Sequence, residues 1–375
     1  MNRPPVLVYL VTEDWYFVSH RLPMARAARD AGYEVHVLTN VNQHGHIIQN
    51  ENFHLHPLQW RRGSLHPADL IAIIRQIRGL YRALRPDIAH HVALQPAVIG
   101  SLAALGLPMV SLNALAGLGY AFSSTDAKAR MVRIVLAALL RRLLNRKRVA
   151  VLVQNPDDRA MMETLGVSGD RIFLIPGSGV DTEHLQPLPE PDGPITVAYV
   201  GRLLEDKGLR TLVAASALLN ERGRPVRVLI AGEPDPANPT SVLAEEIERW
   251  RARRDLSLLG YVADIRQVWA AAHIAVLPSR REGLPKSLLE AAACGRPMIA
   301  SDVPGCREIV RPGIDGLLVP PDDAAALADA IERLASDAEL RRKFSVAARH
   351  LAEEEYSSAL IGRQIVALYD RLIGR

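Results

Sequence analysis

Cysteine is nearly missing from this chain of 375 residues, which has only Cys294 and Cys306. Two cysteines without metal-ligand spacing make no disulfide framework, so both read as packing residues in a reducing compartment. Aromatic residues are scarce at 5%, and no stacking pattern accompanies the basic segments, which argues against a nucleic-acid partner. Long apolar runs are also wanting: the longest, such as Ile134–Leu140, fall far short of the about 18–20 residues a membrane span needs. The opening stretch Met1–Val11 runs straight into Glu13 and Asp14, a strand pattern and not a secretory signal, so a cytoplasmic protein is expected. No Asp-x-Asp occurs in a suitable loop, and His44-x-His46 and His54-x-His56 have no matching second ligand pair. No metal or other cofactor is therefore expected.

With 49% hydrophobic and 23% charged residues, the chain can fill two cores, and its length predicts two domains. The net charge of +4 conceals an asymmetry. Residues 1–185 carry 20 Lys and Arg against 14 Asp and Glu, while residues 186–375 carry 25 against 27, so the first half is the one suited to an anionic partner. Short β-rich runs alternate with amphipathic stretches: Val6–Val11, Glu34–Thr39, Asp87–His91, Met109–Leu112, Ala150–Gln154 and Arg171–Ile175 read as strands, with helices such as His20–Ala31, Asp69–Arg85 and Gln95–Leu105 between them. Four prolines within Gln186–Pro194 suit a stiff connection, which places the boundary between domains 1–185 and 186–375. The alternation restarts with Thr196–Val200, Val226–Ala231, Leu256–Leu259, Ile274–Pro278, Pro297–Ser301 and Gly316–Val319. Two tandem Rossmann-like α/β domains follow, with ligands expected beyond the carboxyl ends of the strands in a cleft between them. The C-terminal helix can pack back on the first domain.

The densest chemical signal is Arg281–Pro297. Glu282 lies in a loop after a strand, and Glu290 falls about two turns into a helix beginning near Lys286. Gly283, Leu284 and Pro285 bring the loop backbone close to a ligand, and the helix start can hold phosphate. Two glutamates alone are equally consistent with an amphipathic helix exposing an acid at each end. Together with Gly201-Arg202-Leu203, Lys207-Gly208, Pro304–Glu308 and Asp315–Val319, however, the segment resembles the donor site of the family 4 glycosyltransferases. These are retaining enzymes of the GT-B fold, in which two Rossmann-like domains face each other across a cleft. The resemblance makes Glu282 and Glu290 the paired acids of the donor site and gives Arg202 and Lys207 the donor diphosphate, with Gly232 and Val262 lining base and ribose. Two cations on one loop can stabilise a diphosphate leaving group without a metal; the alternative is a solvated loop with Arg202 paired to Glu205 or Asp206.

In the first half, His90 and His91 end a strand, where a histidine can bind sugar or assist proton transfer. The family usually carries H-x-H there. Because successive strand residues face opposite sides, only one of this adjacent pair can point to the cleft, and His91 is favoured. The alternative buries one in the fold. Thr12–Arg21, with its Asp-Trp-Tyr-Phe and Ser-His-Arg-Leu-Pro pattern, and Asn113–Tyr120, with Gly117 and Gly119, resemble a subgroup that builds bacterial surface polysaccharides and lipid-linked oligosaccharides. Asp14 is the candidate to meet the acceptor hydroxyl, and His20 and Arg21 an acceptor phosphate; a helix cap is the other reading of Asp14–Ser19.

Lys128–Arg148 holds Lys128, Arg130, Arg133, Arg141, Arg142, Arg146, Lys147 and Arg148 and no acid. It reads as an amphipathic helix that docks on an anionic membrane surface, each cation there being worth about 1 kcal/mol; the alternative is an ordinary helix with its stripe in the core. The resemblance to that subgroup implies a metal-independent transfer from a UDP-sugar, an N-acetylhexosamine or hexose donor, to a polyprenyl-diphosphate-linked sugar, and the basic helix places it at the inner membrane face. A soluble acceptor, or a non-catalytic nucleotide-sugar binder, is the alternative.

Overall fold

The computed structural model describes residues 3–60, 66–115, 127–236 and 238–375, apart from the side chains of 127–133 and 135. Two parallel sheets organise it. The first contains β1 (Val6–Glu13), β2 (Glu34–Asn40), β3 (His54–Pro57), β4 (Ile88–Val92), β5 (Val110–Ala114), β6 (Val149–Val153) and β7 (Ile172–Leu174) in the order β3-β2-β1-β4-β5-β6-β7. The run VLVYLVTE of β1 is buried almost throughout, as a strand covered by helices on both faces must be. It pairs with β2 on one side and β4 on the other, so the strand order reverses there and loops diverge at the carboxyl ends of β1 and β4. The helix Pro67–Leu84 starts on a proline and stops where Arg85 turns left-handed at φ 48°, feeding the chain into β4.

The second sheet contains β8 (Thr196–Val200), β9 (Arg227–Ala231), β10 (Leu256–Gly260), β11 (Ile274–Leu277), β12 (Met298–Ser301) and β13 (Gly316–Val319) in the order β10-β9-β8-β11-β12-β13. Its reversal lies at β8, between β9 and β11. One continuous core serves this unit, and Cys294 and Cys306 are both buried in it.

Three expectations need correcting. The boundary falls after Ser178 and not after residue 185: the second compact unit is Gly179–Ser357, and the first is Met1–Ser178 together with Ser358–Arg375, the C-terminal helix returning to it as expected. The proline-rich stretch is not the connection, because it is tied to the second unit: Arg296 donates to the Pro189 carbonyl at 2.7 Å, Leu188 N–H to the Cys294 carbonyl at 3.1 Å, and Glu190 pairs with Arg341. Val180 and Leu185, before it, already belong to that core. The helix expected at His20–Ala31 is two, Asp14–His20 and Leu22–Asp30, meeting at Arg21, where Pro23 in the first turn starts the second. The edge strand β3 has no counterpart in the sequence reading.

The helix Ser358–Ile373 packs on Leu22–Asp30, where a Cβ on Gly362 would lie 2.8 Å from that of Ala27. Ile361, Ile365, Leu368 and Tyr369 enter the same core as Leu7 and Tyr9.

Candidate active site

In the second unit, the loops after β8 and β11 meet. Lys207 donates to both oxygens of Glu282, at 2.6 and 2.8 Å, and Ser279 donates to Oε1 at 2.7 Å. The two loops are further tied by Arg281 on Asp206 at 2.6 Å and by Arg280 N–H on the Asp206 carbonyl at 2.8 Å. Gly208 makes this approach possible. It is left-handed at φ 70°, and a Cβ on it would stand 1.8 Å from the Pro278 carbonyl oxygen, so any side chain would push Lys207 off the end of β11. Arg202 follows β8 and pairs with Asp235 at 2.8 Å, not with Glu205 or Asp206; Glu205 is taken by Arg210 at 3.0 Å.

Glu290 is the fifth residue of the helix Lys286–Ala293 and so little more than one turn in, not two. Burial pushes its carboxyl up, against the pull of Lys286 at 3.4 Å. Pro285 is the N-cap of that helix, with no side-chain cap bond, and Leu284 packs on the core. The Gly201 N–H bonds the Ala231 carbonyl, and Gly232 lies against the Gly201 carbonyl, where a Cβ would come within 1.9 Å. Val262 is partly buried on the core, whereas its neighbour Tyr261, after β10, is 72% exposed. The exposed ring on that loop belongs to Tyr261, beside the Val262 chosen from the sequence.

In the first unit the adjacent histidines divide their work differently from the expectation. Both lie inside β4 and are wholly buried. His91 is fully engaged: Nδ1 donates to Asn113 Oδ1 and Nε2 accepts from Tyr81 Oη, each at 2.9 Å, and a Cβ on Gly100 would meet its ring at 2.5 Å. Burial lowers it to about 4, although the bond to Asn113 opposes this. His91 is thus a packed core histidine, and the preference for it is corrected. His90 bonds Tyr369 Oη through Nδ1 at 2.6 Å and stacks on Tyr9, while its Nε2 is buried with no partner among the described residues. Burial first, then the Arg21 charge, holds it well below the ordinary histidine value.

Arg21 is itself 2% exposed. Its Nη1 reaches only the His20 carbonyl at 3.3 Å and Met24 sulfur at 4.0 Å, its Nε has no partner among the described residues, and no carboxylate among them pairs with it. With Ala114, Leu115, Leu152, Gln154, Ile175 and Gly177 it lines a crevice too tight for a water molecule, near the carboxyl ends of β5, β6 and β7. A buried cation left in this state gains most from an anion. His20 is half-buried, bonded to Ser19 Oγ at 2.6 Å and stacked on Tyr16.

Asp14 is corrected as well. It is wholly buried, and instead of an acceptor hydroxyl its carboxylate takes the Trp15, Asn42 and His44 N–H groups at 2.7, 2.7 and 2.9 Å, fixing the turn after β2. Beyond β2 and β3 lies a cleft of about 670 Å3 that includes Asn40, Gln59, Trp60, Asp69, Gln76 and Gln95 in its lining, a polar set unnoticed in the sequence. Ala93, at the end of β4, adopts φ 78° and ψ 169°, a region glycine alone enters freely.

Gly117 and Gly119 lie outside the described residues, as do the side chains of Lys128, Arg130 and Arg133. In the helix Ala127–Leu144, Arg141 and Arg142 are exposed, but Leu140, Leu143 and Leu144 are buried, and Leu136 packs with Leu140 and Leu144 against the same core as Val151. The described apolar stripe is therefore core, except for Ile134, which is 62% exposed. No described helix is long and apolar enough to cross a membrane.

Known proteins match both units. The model of the group 1 glycosyl transferases matches residues 194–337, and that of the glycosyl transferase 4-like family matches residues 7–155. EpsD of Bacillus subtilis, named as a glycosyltransferase, is 30% identical over 359 residues, covering 92% of this chain and 91% of that one. The N,N'-diacetylbacillosaminyl-diphospho-undecaprenol alpha-1,3-N-acetylgalactosaminyltransferase of Campylobacter jejuni is 27% identical, covering 68% and 69%. The alpha-D-kanosaminyltransferase of Streptomyces kanamyceticus is 36% identical over 181 residues, but the chain spans only 46% of its length. Sucrose-phosphate synthase of Thermosynechococcus elongatus shares the fold with a TM-score of 0.83 at 23% identity, covering 99% of both chains. HepE of Anabaena in complex with UDP-glucose does so with a TM-score of 0.79 at 17% identity, covering 98% and 99%.

Proposed function

Since the chain belongs to the family 4 glycosyltransferases, retaining enzymes of the GT-B fold, we propose that it moves an N-acetylhexosamine or hexose from a UDP-sugar to a polyprenyl-diphosphate-linked acceptor. The setting is bacterial polysaccharide synthesis, where the relative CapM of Staphylococcus aureus belongs by its name as a capsular polysaccharide enzyme. The observation that carries the reading is the Lys207–Glu282 pair, with Arg202 on the same stretch of chain after β8. A diphosphate arriving after β8 competes with Glu282 for Lys207, and Lys207 and Arg202 then stabilise the charge that grows on the leaving phosphate. Glu282, released, accepts hydrogen bonds from the donor sugar, and Glu290 from the ribose.

In the transfer, the acceptor hydroxyl oxygen bonds the anomeric carbon as its bond to the diphosphate breaks. The hydroxyl proton passes to the leaving phosphate oxygen on the same face, and no metal is required. UDP is favoured because HepE, of the same fold, is a UDP-glucose complex. Support for a diphosphate-bearing acceptor comes from Arg21, a buried cation with no carboxylate partner among the described residues, and from the acceptor named for the Campylobacter jejuni relative. His90 Nε2, close enough to feel the Arg21 charge, is the histidine atom available to that site. The exposed Arg141 and Arg142 carry the docking to an anionic leaflet.

A soluble acceptor is the second reading, favoured by the burial of Leu140, Leu143 and Leu144. The deciding experiment incubates the protein with UDP-, GDP- and ADP-sugars in EDTA, with and without anionic vesicles carrying polyprenyl diphosphate sugars. Transfer that needs vesicles and survives EDTA is expected. Transfer to a soluble sugar alone would establish the second reading.

A further inference from the structure

β3 lies at the edge of the first sheet, parallel to β2, and the register sets His36 opposite His54 and Leu38 opposite His56. Side chains two apart on a strand share a face, so Glu34 and His36 of β2 and His54 and His56 of β3 gather on one side. The His54-x-His56 pair therefore has the matching second pair that it lacked in the sequence, namely Glu34-x-His36 on the neighbouring strand. Glu34 Oε1 lies 3.1 Å from His36 Nε2 and 3.6 Å from His54 Nε2, and the ligand atoms of these three residues all fall within 4.8 Å of one another.

From these positions we infer a site for a zinc-like divalent transition ion, with Glu34 Oε1, His36 Nε2 and His54 Nε2 as ligands and solvent completing the coordination. Bonds of about 2.0–2.1 Å in a tetrahedron put ligand atoms about 3.3 Å apart, close to the separations present. The ligand set of two imidazoles and a carboxylate suits zinc and its neighbours, and not calcium or magnesium. His56 Nε2 sits 2.9 Å from His36 Nδ1. Once the ion takes the place of the His36 Nε2 proton that faces Glu34, the remaining proton sits on Nδ1 and His56 Nε2 accepts it, the support that a metal-bound histidine needs from its other ring nitrogen.

The ion fastens an edge strand of four residues to the sheet. Its ligands are separate from Lys207, Glu282, Arg21 and His90, so stripping it leaves the chemistry of transfer in place. The test uses the full chain, freed of metal by chelation and dialysis and then titrated with zinc, with cobalt(II) absorption as a second readout. One equivalent should bind, cobalt should give a tetrahedral spectrum, and unfolding should move to higher temperature with zinc. Glu34→Gln and His54→Ala, both at solvent-accessible side chains, should each weaken binding by about tenfold or more, and His56→Ala should do so through His36. A His44→Ala, His46→Ala chain should bind as the parent does. No stoichiometric binding, or binding that persists in both Glu34→Gln and His54→Ala chains of unaltered circular dichroism, overturns the site. Should His36→Gln fail to fold, those two variants still decide.

Discussion

Lys207 is held by two hydrogen bonds to one carboxylate, so its ammonium is already positioned where a diphosphate would be met. Replacing it with alanine removes that cation and is expected to lower kcat/KM for donor turnover by about 100–1000-fold, read from release of the nucleotide diphosphate. Activity near that of the parent would remove Lys207 from the leaving-group role. His91 makes a different prediction. Its folded value of about 4 lies below the ordinary 6.5, so the unfolded chain binds its proton more readily. Its share of stability is complete above pH 6.5 and is lost as the pH falls from there to 4. A shift of that size corresponds to about 3 kcal/mol at most, so thermal unfolding should lose less between pH 7 and 4 in His91→Gln than in the parent. Equal slopes would contradict the buried neutral histidine. Sequence alternation showed that His90 and His91 face opposite ways. It could not show which face carries Tyr81 and Asn113, because that depends on how the preceding helix and the neighbouring strand pack against β4.

Elements with a strong pattern were readable within a residue or two: Thr196–Val200 and Gly316–Val319 are strands as read, and Lys286 opens its helix. Their apolar runs are fully buried or sharply bounded, which leaves little room for another register. β3 was not readable, because His-Leu-His-Pro is short and polar and belongs to the sheet only through pairing with β2. The helix Ala127–Leu144 was correct as a helix and ambiguous as an interface. Buried leucines on one side and exposed arginines on the other serve a core and a charged surface equally well. Arg141→Glu with Arg142→Glu should leave the fold intact, since both are exposed, and should weaken binding to anionic vesicles by about 2 kcal/mol or more at low salt. Cosedimentation that does not change would assign the helix to packing alone.

The chain enters its second unit at Gly179 and leaves it at Ser357, and the two crossings are joined by a bridge between Val180 and Ser357. Residues 179–357 thus hold a contiguous six-stranded sheet with its own core. Made alone, this segment is expected to fold and to bind UDP, raising its unfolding temperature by mass action. A soluble segment that UDP does not stabilise would place the nucleotide elsewhere. The first unit is split, since it needs Ser358–Ile373 to complete the core around Tyr9 and to supply Tyr369 to His90. A consequence follows for the order of events on the ribosome. The amino-terminal sheet emerges first but lacks its closing helix until the whole inserted unit has been translated, so the second unit can mature before the first. Over that interval the nascent amino-terminal half lacks the cover that the C-terminal helix gives to the core of Leu7, Tyr9 and Met24, leaving apolar surface of the kind that invites aggregation. Stalled chains ending before Ser358 should carry a protease-resistant second unit on a protease-sensitive first one.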